Sequence, residues 1–292
     1  METAFKRTVY LFAAPALILY VVFWILPIFA TLYFSFTNTT GFLNNYKFVG
    51  LDNYRNVITD GSLLNAIKNT VIYVVVSLSV GNAAALILAL VLNANLKLKG
   101  LYRSIFYIPT LFSTVVVGFI WGYVYMPYYG LISTVLKFVG FQNIEPNLLG
   151  NFSTALFAVI LVDIWKSIGG VMIIYLAGLQ TIPSDVLESG VIDGCTGIQM
   201  IRYIKIPLLA PSITVNITLG MIGSLKAFDY VYVMTQGGPG NSTETLMHAV
   251  FKMAFNSYMY GKGSALGVLS FIVILAFTMG AVGFLRSREV EA

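Results

Sequence analysis

The sequence predicts an all-α integral membrane protein with six transmembrane helices and both termini in the cytoplasm. Three observations predict it. Of the 292 residues, 58% are hydrophobic and 10% charged, and mean hydropathy is +0.84, far outside the composition of soluble domains. Six apolar stretches each reach the ~20 residues that a spanning helix needs. The cations, finally, sort unequally between the connections that join those stretches. A net charge of +5 does not mark a nucleic-acid binder here, because the cations form no common basic face and no stacking motifs lie between them.

Residues 10–36 are almost uncharged. Lys6 and Arg7 precede them as the n-region of a signal peptide would, but the run exceeds the ~7–15 residues of an h-region and no clear A-x-A site follows. An uncleaved first helix is expected, bent at Pro15 or Pro27. The polar stretch that follows, including KFVGLDNYRNVITD, is interleaved with aromatics and reads as an ordered exterior loop. Further spans are expected at 69–92, 105–126, 153–178, 208–235 and 263–285. The first three spans show no repeat in the last three and no low-complexity tract interrupts them, so 1–292 reads as a single transmembrane domain.

Placing the N-terminus inside puts Lys6, Arg7, Lys97, Lys99, Arg103, Arg202, Lys205, Arg286 and Arg288 in the interior segments. Lys47, Arg55, Lys68, Lys137, Lys252 and Lys262 then lie in the exterior loops, nine cations against six. The interior cations also crowd the helix ends in short loops, where the positive-inside rule counts most. Both termini and the loop between the fourth and fifth spans are therefore expected in the cytoplasm.

That loop, PSDVLESGVIDGCTGIQMIRYIKIP, is too polar to span a bilayer. Pro183 stops the preceding helix, and Ser184 is expected to cap a new one whose first turns carry Asp185 and Glu188, favourable near a helix N-terminus. A short helix over 185–193 should follow, ended by Gly194 in a left-handed conformation, with Gly197 loosening the next turn. Arg202 and Lys205 then lead to Pro207 and the fifth span. A solvated amphipathic connector has a similar composition, but a compact helix held between two spans is also a lever, with Glu188 as its charged handle.

The spacing of Glu188-Ser189-Gly190, three residues, Gly194, nine residues, then Ile204 and Pro207 resembles the EAA signature of bacterial ABC importer permeases. That signature reads E-A-A, three residues, G, nine residues and I-x-L-P; Ser189, Gly190 and Ile206 depart from it by small or apolar replacements. The stretches LYRSIFYIPTLFSTVVVGFIWGYVY, AGLQTIPSDVLE and LKAFDYVYVMTQGGPGNSTETL are similar to the maltose-type carbohydrate-uptake permeases, and GGPGNSTET to the exterior loop between the last two helices of their first-type (MalF-like) subunit. The likeness covers most of the chain, in a shorter version without that subunit's large exterior insertion and extra N-terminal helices.

The resemblance implies the type I ABC importer permease fold and a place in the bacterial or archaeal plasma membrane, among lipid. It further implies a heterodimer with a second homologous permease, two ATPase subunits and an extracytoplasmic sugar-binding protein. The coupling loop would be 179–207, with Glu188, Ser189, Gly190, Asp193, Gly194, Ile204 and Pro207 as its ATPase-coupling residues. ATP and Mg would belong to the partner ATPases. No G-x-x-x-x-G-K-[ST] phosphate loop occurs in this chain, so no cofactor is expected in it.

The two remaining cations and two acids fall inside predicted spans: Asp163 and Lys166 in the fourth, Lys226 and Asp229 in the fifth. Charges at such depth face a partner, a cavity or the bundle interior. Asp163 and Lys226 each lie nine residues from the outer end of their span, roughly 13 Å deep at 1.5 Å per residue, so they are expected to approach each other. With Trp165, Phe228 and Tyr230 this cluster either borders the path of a sugar or fixes the register of two spans. Gly118 and Gly122, spaced i and i+4, would permit close helix approach.

Cys195, the single cysteine, excludes a disulfide within the chain and reads as a small packed residue. His248, the single histidine, cannot form a histidine pair on a metal, and no metal site is expected. The sequons at Asn38, Asn151 and Asn241 read as coincidental. Two other functions compete. An ion-coupled secondary transporter of a small polar solute would use the intramembrane acids as cation sites, but would have no need of the EAA-like loop. An intramembrane enzyme lacks paired aspartates or an HExxH sequence.

Overall fold

The computed structural model describes residues 13–41, 46–94, 96–141 and 146–286. Lys6, Arg7 and Arg288, used in the charge count, lie outside them. Among the described residues the chain is helical, with one isolated antiparallel bridge between Thr37 and Phe48. Among these residues four helices are long and apolar enough to cross a membrane, and two bent helix pairs bring the number to six if each is one span.

Helix α1, Ala13–Ser35, exposes Leu17, Ile18, Phe23 and Trp24. A helix apolar all round with no buried face requires hydrocarbon or another helix as its surroundings. Its irregularity falls at Pro27 and not at Pro15. Proline has no N–H and its ring crowds the carbonyl four residues back; here residues Val21–Ile25 open into a wider π turn, with Leu26 N–H bonded to Val21 O. The same device precedes Pro207, where Met200–Lys205 form a π turn and Ile206 N–H bonds Ile201 O.

Contacts divide the chain into two compact units, 1–63 with 249–272 and 64–248 with 273–292. In the first, the predicted ordered loop contains α2, Asp52–Thr59. Buried Asn53 donates its amide to Ser35 O at 2.9 Å and Thr37 O at 2.7 Å, and Tyr54 Oη lies 2.6 Å from Ser35 Oγ. These bonds satisfy the carbonyls at the end of α1, where the helix leaves them orphaned. Gly261 N–H bonds Thr39 O at 3.0 Å and Gly41 N–H bonds Tyr258 O at 2.9 Å.

The second unit is built on α7, Ala155–Gln180, which carries two apolar clusters along its length. One gathers Tyr73, Val117, Val159, Val162, Tyr230 and Val231; the other Ala85, Ala89, Met172, Tyr175, Leu176 and Leu209. The residues facing α7 come from α3, Gly61–Asn93, from α5, Thr114–Val124, from α10, Ala210–Leu225, and from α11, Asp229–Met234. Gly169 and Gly178 let neighbours approach: a Cβ on Gly169 would overlap Phe106 O of α4, Lys99–Leu111, and one on Gly178 would overlap Ser212 Oγ. Gly118 admits Val233 Cγ1 of α11, 3.0 Å from where a Cβ would stand, whereas Gly122 has nothing within 4 Å. The predicted glycine pair is thus half used inside this chain.

Two expected spans are not straight. The third divides into α4 and α5, bent by 100° at Phe112–Ser113, just beyond Pro109. The fifth begins in the loop after the fourth span as α9, Gly197–Leu208, bends by 66° into α10 and is interrupted again at Lys226–Phe228 before α11. Short helices α6, Leu131–Phe138, and α8, Ser184–Ile192, precede and follow α7. Helix α12 covers 246–256 and α13 is Tyr260–Arg286.

Candidate functional site

A cavity of about 300 Å³ lies where the fifth span is interrupted. Its walls come from α3 (Tyr73, Ser77, Asn82), from α7 (Asp163, Lys166, Ser167), from α10 (Asn216, Ser224) and from Lys226, Ala227, Phe228, Asp229 and Tyr230 at and beyond the break. Irregular backbone at membrane depth is tolerated where it lines a cavity, and the residues at and beyond the break line one. Six of the seven residues expected on a substrate path line the cavity. Trp165 does not: one position off that helix face, it packs edge-on against Trp121 at 5.3 Å and 67°.

Asp163 and Lys226 share the cavity, but the structure gives Asp163 other partners. Tyr73 Oη and Ser77 Oγ donate to its carboxylate, the latter at 3.2 Å, and Lys166 is close enough to act on it electrostatically. No ion pair to Lys226 is present among the described residues. The acid is therefore held from α3, a helix the charge count had not singled out. Its signal was available: Tyr73, Ser77 and Gly81 stand at i, i+4 and i+8, a polar or small stripe along an otherwise apolar helix.

The remaining polar groups tie the walls together. Tyr175 Oη donates to Asn82 Oδ1 at 2.8 Å, Thr110 Oγ1 to Lys166 O at 2.9 Å and Asn216 Nδ2 to Val171 O at 3.2 Å. Tyr230 Oη is buried on the cavity wall with no hydrogen-bond partner among the described residues. Buried hydroxyls almost always have one, so this oxygen is an open donor and acceptor. No cluster of metal-ligating side chains occurs among the described residues.

The loop between the fourth and fifth spans folds as two short helices. Pro183 occupies the N-cap of α8 with extended ψ of 138°, and Ser184 lies inside the helix with its hydroxyl on Asp185 Oδ1, so the expected serine cap is not made. Proline's fixed φ suits the position, and the following N–H groups are left to solvent. Gly194 has φ +77°; its N–H bonds Val191 O at 3.0 Å while Cys195 N–H bonds Gly190 O at 3.0 Å, the paired bonds of a Schellman ending. Two residues on, Thr196 caps α9 and Gln199 bonds back to the Thr196 N–H at 2.7 Å. This capping box is written in the sequence as T-x-x-Q.

Within the loop Gly190 is buried against Ile204 and Met200, while Glu188, Asp193 and Pro207 are exposed and Ser189 bonds back to Asp185 O at 2.8 Å. Beside Glu188 a groove is lined by Leu187, Val191, Ile192, Met200 and Lys205. Val191 and Ile192 are 67% and 84% exposed, an apolar surface next to a charge.

Fold and site together define a polytopic helical membrane protein with a polar cavity between its spans and a short, capped helix between two of them. Residues 81–290 match the family described as the binding-protein-dependent transport system inner membrane component, and the chain belongs to it. It is 37% identical to the multiple sugar-binding transport system permease protein MsmF of Streptococcus mutans, over 88% of each chain. It is 36% identical to the trehalose/maltose transport system permease protein MalF of Thermococcus litoralis, over 92% of this chain and 90% of that one. In fold it matches a chain of a bacterial ABC transporter involved in the import of the acidic polysaccharide alginate, with a TM-score of 0.84, 23% identity and 98% of each chain covered. The protein is a multi-pass inner-membrane component of a transport system.

Proposed function

We propose that this chain is one permease subunit of an ATP-driven importer for a disaccharide or oligosaccharide. It forms half of the translocation pathway beside a second homologous permease, as a single permease domain over 1–292. Sugar arrives on an extracytoplasmic binding protein. Two ATPase subunits, holding ATP and Mg, seat the loop 179–207 from the cytoplasm, on the same side as both termini. The observation that carries the reading is α8: a helix closed at its C-terminus by Gly194, wedged on Gly190 and Ile204, and joined through short connections to both α7 and α9. A partner that displaces α8 moves α7 directly and α10 through α9, and both of these wall the cavity.

The cavity supports the same reading chemically. Two carboxylates, two ammonium groups, the carboxamides of Asn82 and Asn216 and the open Tyr230 hydroxyl give donors and acceptors in the mixture that a polyol requires, with Phe228 as an apolar face for a pyranose ring. No bond is made or broken in this chain. Its work is to bind weakly and release.

The test is co-purification of the tagged chain from mild detergent, comparing the unmodified chain with Glu188→Lys and Gly194→Trp. The expected result is recovery of a homologous permease with all three and of a Walker-motif ATPase with the unmodified chain alone. A chain that purifies without either protein, and whose substrate uptake is unchanged in both variants, would overturn the reading.

A further inference from the structure

The exterior segment 236–248 holds the interrupted fifth span from outside. Its own anchor is the outer end of α3: Asn65 Nδ2 donates to Asn241 O at 2.8 Å, Asn69 Nδ2 to Glu244 O at 3.0 Å, and Leu246 N–H donates to Thr70 Oγ1 at 3.0 Å. These are the polar residues that extend α3 beyond its apolar stretch. Gly237, at φ +83°, closes over the buried side chains beneath it: a Cβ there would stand 2.7 Å from His248 Cε1 and 3.5 Å from Glu244 Oε2. Both glycine's φ and its missing side chain are required at this position.

From that anchor the segment reaches inward at two points, and they meet consecutive residues of the break. Thr245 Oγ1 donates to Ala227 O at 2.7 Å. The His248 ring, 2% exposed, stacks on Phe228 with centroids 6.3 Å apart and planes at 29°, and Phe228 stacks in turn on Tyr232 at 5.2 Å and 19°. Ala227 and Phe228 both line the cavity. A segment without regular helical bonding takes its conformation from whatever holds it, and here a hydroxyl holds a carbonyl while an imidazole holds the next side chain.

We propose that Thr245 and His248 are positioning residues for the cavity, which set the shape of its unwound wall through Ala227 and Phe228. Thr245 fixes the peptide plane and His248 fixes the ring. A partner that presses on the exterior segment then reshapes the cavity directly, without passing through the cytoplasmic loop. Their importance for transport rests on the cavity being the substrate path; the positioning itself does not.

The experiment therefore reads geometry and needs no substrate. In a Cys195→Ser background, Lys226→Cys places a thiol on the exposed residue that begins the break, and its rate of modification by a small maleimide is measured in the full chain, in proteoliposomes. Thr245→Val removes the donor and keeps the shape. His248→Ala removes the ring, and His248→Phe restores a ring without the imidazole nitrogens. The expected result is a change of about fivefold in rate for Thr245→Val and His248→Ala, the population shift that loss of one ordinary hydrogen bond or of one aromatic pair produces, with His248→Phe returning to the parent rate. If His248→Ala fails to purify, Thr245→Val against His248→Phe carries the comparison. Unchanged rates in Thr245→Val and His248→Ala, or His248→Phe changed as much as Thr245→Val, would overturn the proposal. Shifted rates, with transport untouched when Thr245→Val and His248→Ala are made in a chain that keeps Lys226, would support it and sink the substrate-path reading instead.

Discussion

Ile204 Cδ1 lies 2.5 Å from the place a Cβ on Gly190 would occupy, with Met200 Cε at 2.9 Å. Two positions of the EAA-like spacing are therefore related by packing inside the loop. Gly190→Val should loosen α8 by about 1–3 kcal/mol, the usual cost of overpacking, seen as faster amide hydrogen exchange across 184–192. Adding Ile204→Ala should recover most of that protection because the two changes exchange volume. If the double variant exchanges as fast as the sum of the singles, the two residues are not coupled.

Adjacent glycines on α7 should respond oppositely. A Cβ at Gly169 would meet the backbone of Phe106 and Tyr107, which cannot rotate away, whereas at Gly170 the nearest atom is Thr110 Cγ2 at 3.7 Å. Gly169→Ala is expected to lower the stability of the detergent-solubilised chain by about 1–3 kcal/mol and Gly170→Ala to change it by less than about 0.5 kcal/mol or to raise it slightly. Thermal midpoints of the two variants decide this, and equal midpoints would remove Gly169 from the α4–α7 interface.

The cavity's charges should separate by role. Asp163 accepts from Tyr73 and Ser77, so Asp163→Asn, which exchanges one acceptor oxygen for a donor nitrogen, is expected to cost about 1–3 kcal/mol of stability and to impair transport as a consequence. Lys226 stands at the C-cap of α10, exposed to the cavity. Lys226→Met should leave the thermal midpoint within about 0.5 kcal/mol and still reduce uptake. Paired melting and uptake measurements check both, and a Lys226→Met chain that melts early would make that residue structural.

What the sequence disclosed, and what it hid, follows from the range of the interactions. Apolar length marks spans, and residues 10–36, 153–178 and 263–285 fall within a few residues of observed helices. Gly194 ended its helix where expected because a left-handed residue is a local requirement. The bend at Phe112–Ser113 and the interruption at Lys226–Phe228 were hidden, since hydropathy counts side chains and is silent about dihedral angles. Pro109 hinted at the first. Nothing in Lys226-Ala227-Phe228 announces the second, which is held by Thr245 and His248 from a later element. Asp163 was found by its charge and assigned to Lys226 by depth, but its nearest donors are a tyrosine and a serine on α3, neutral residues that a search for charges passes over. Trp165 was included for its chemistry, and its position on the helix turned it toward Trp121.

The loop between α7 and α10 satisfies its own hydrogen bonds on both sides of the turn, at Gly194–Cys195 and at Thr196–Gln199. Its shape is thus fixed before anything arrives. Association of a protein with a segment already ordered spends little conformational entropy, so contact energy appears almost in full as affinity. A rigid seat of this kind also returns to the same geometry after each departure, which suits the proposed coupling surface, engaged, moved and released in every cycle without being rebuilt.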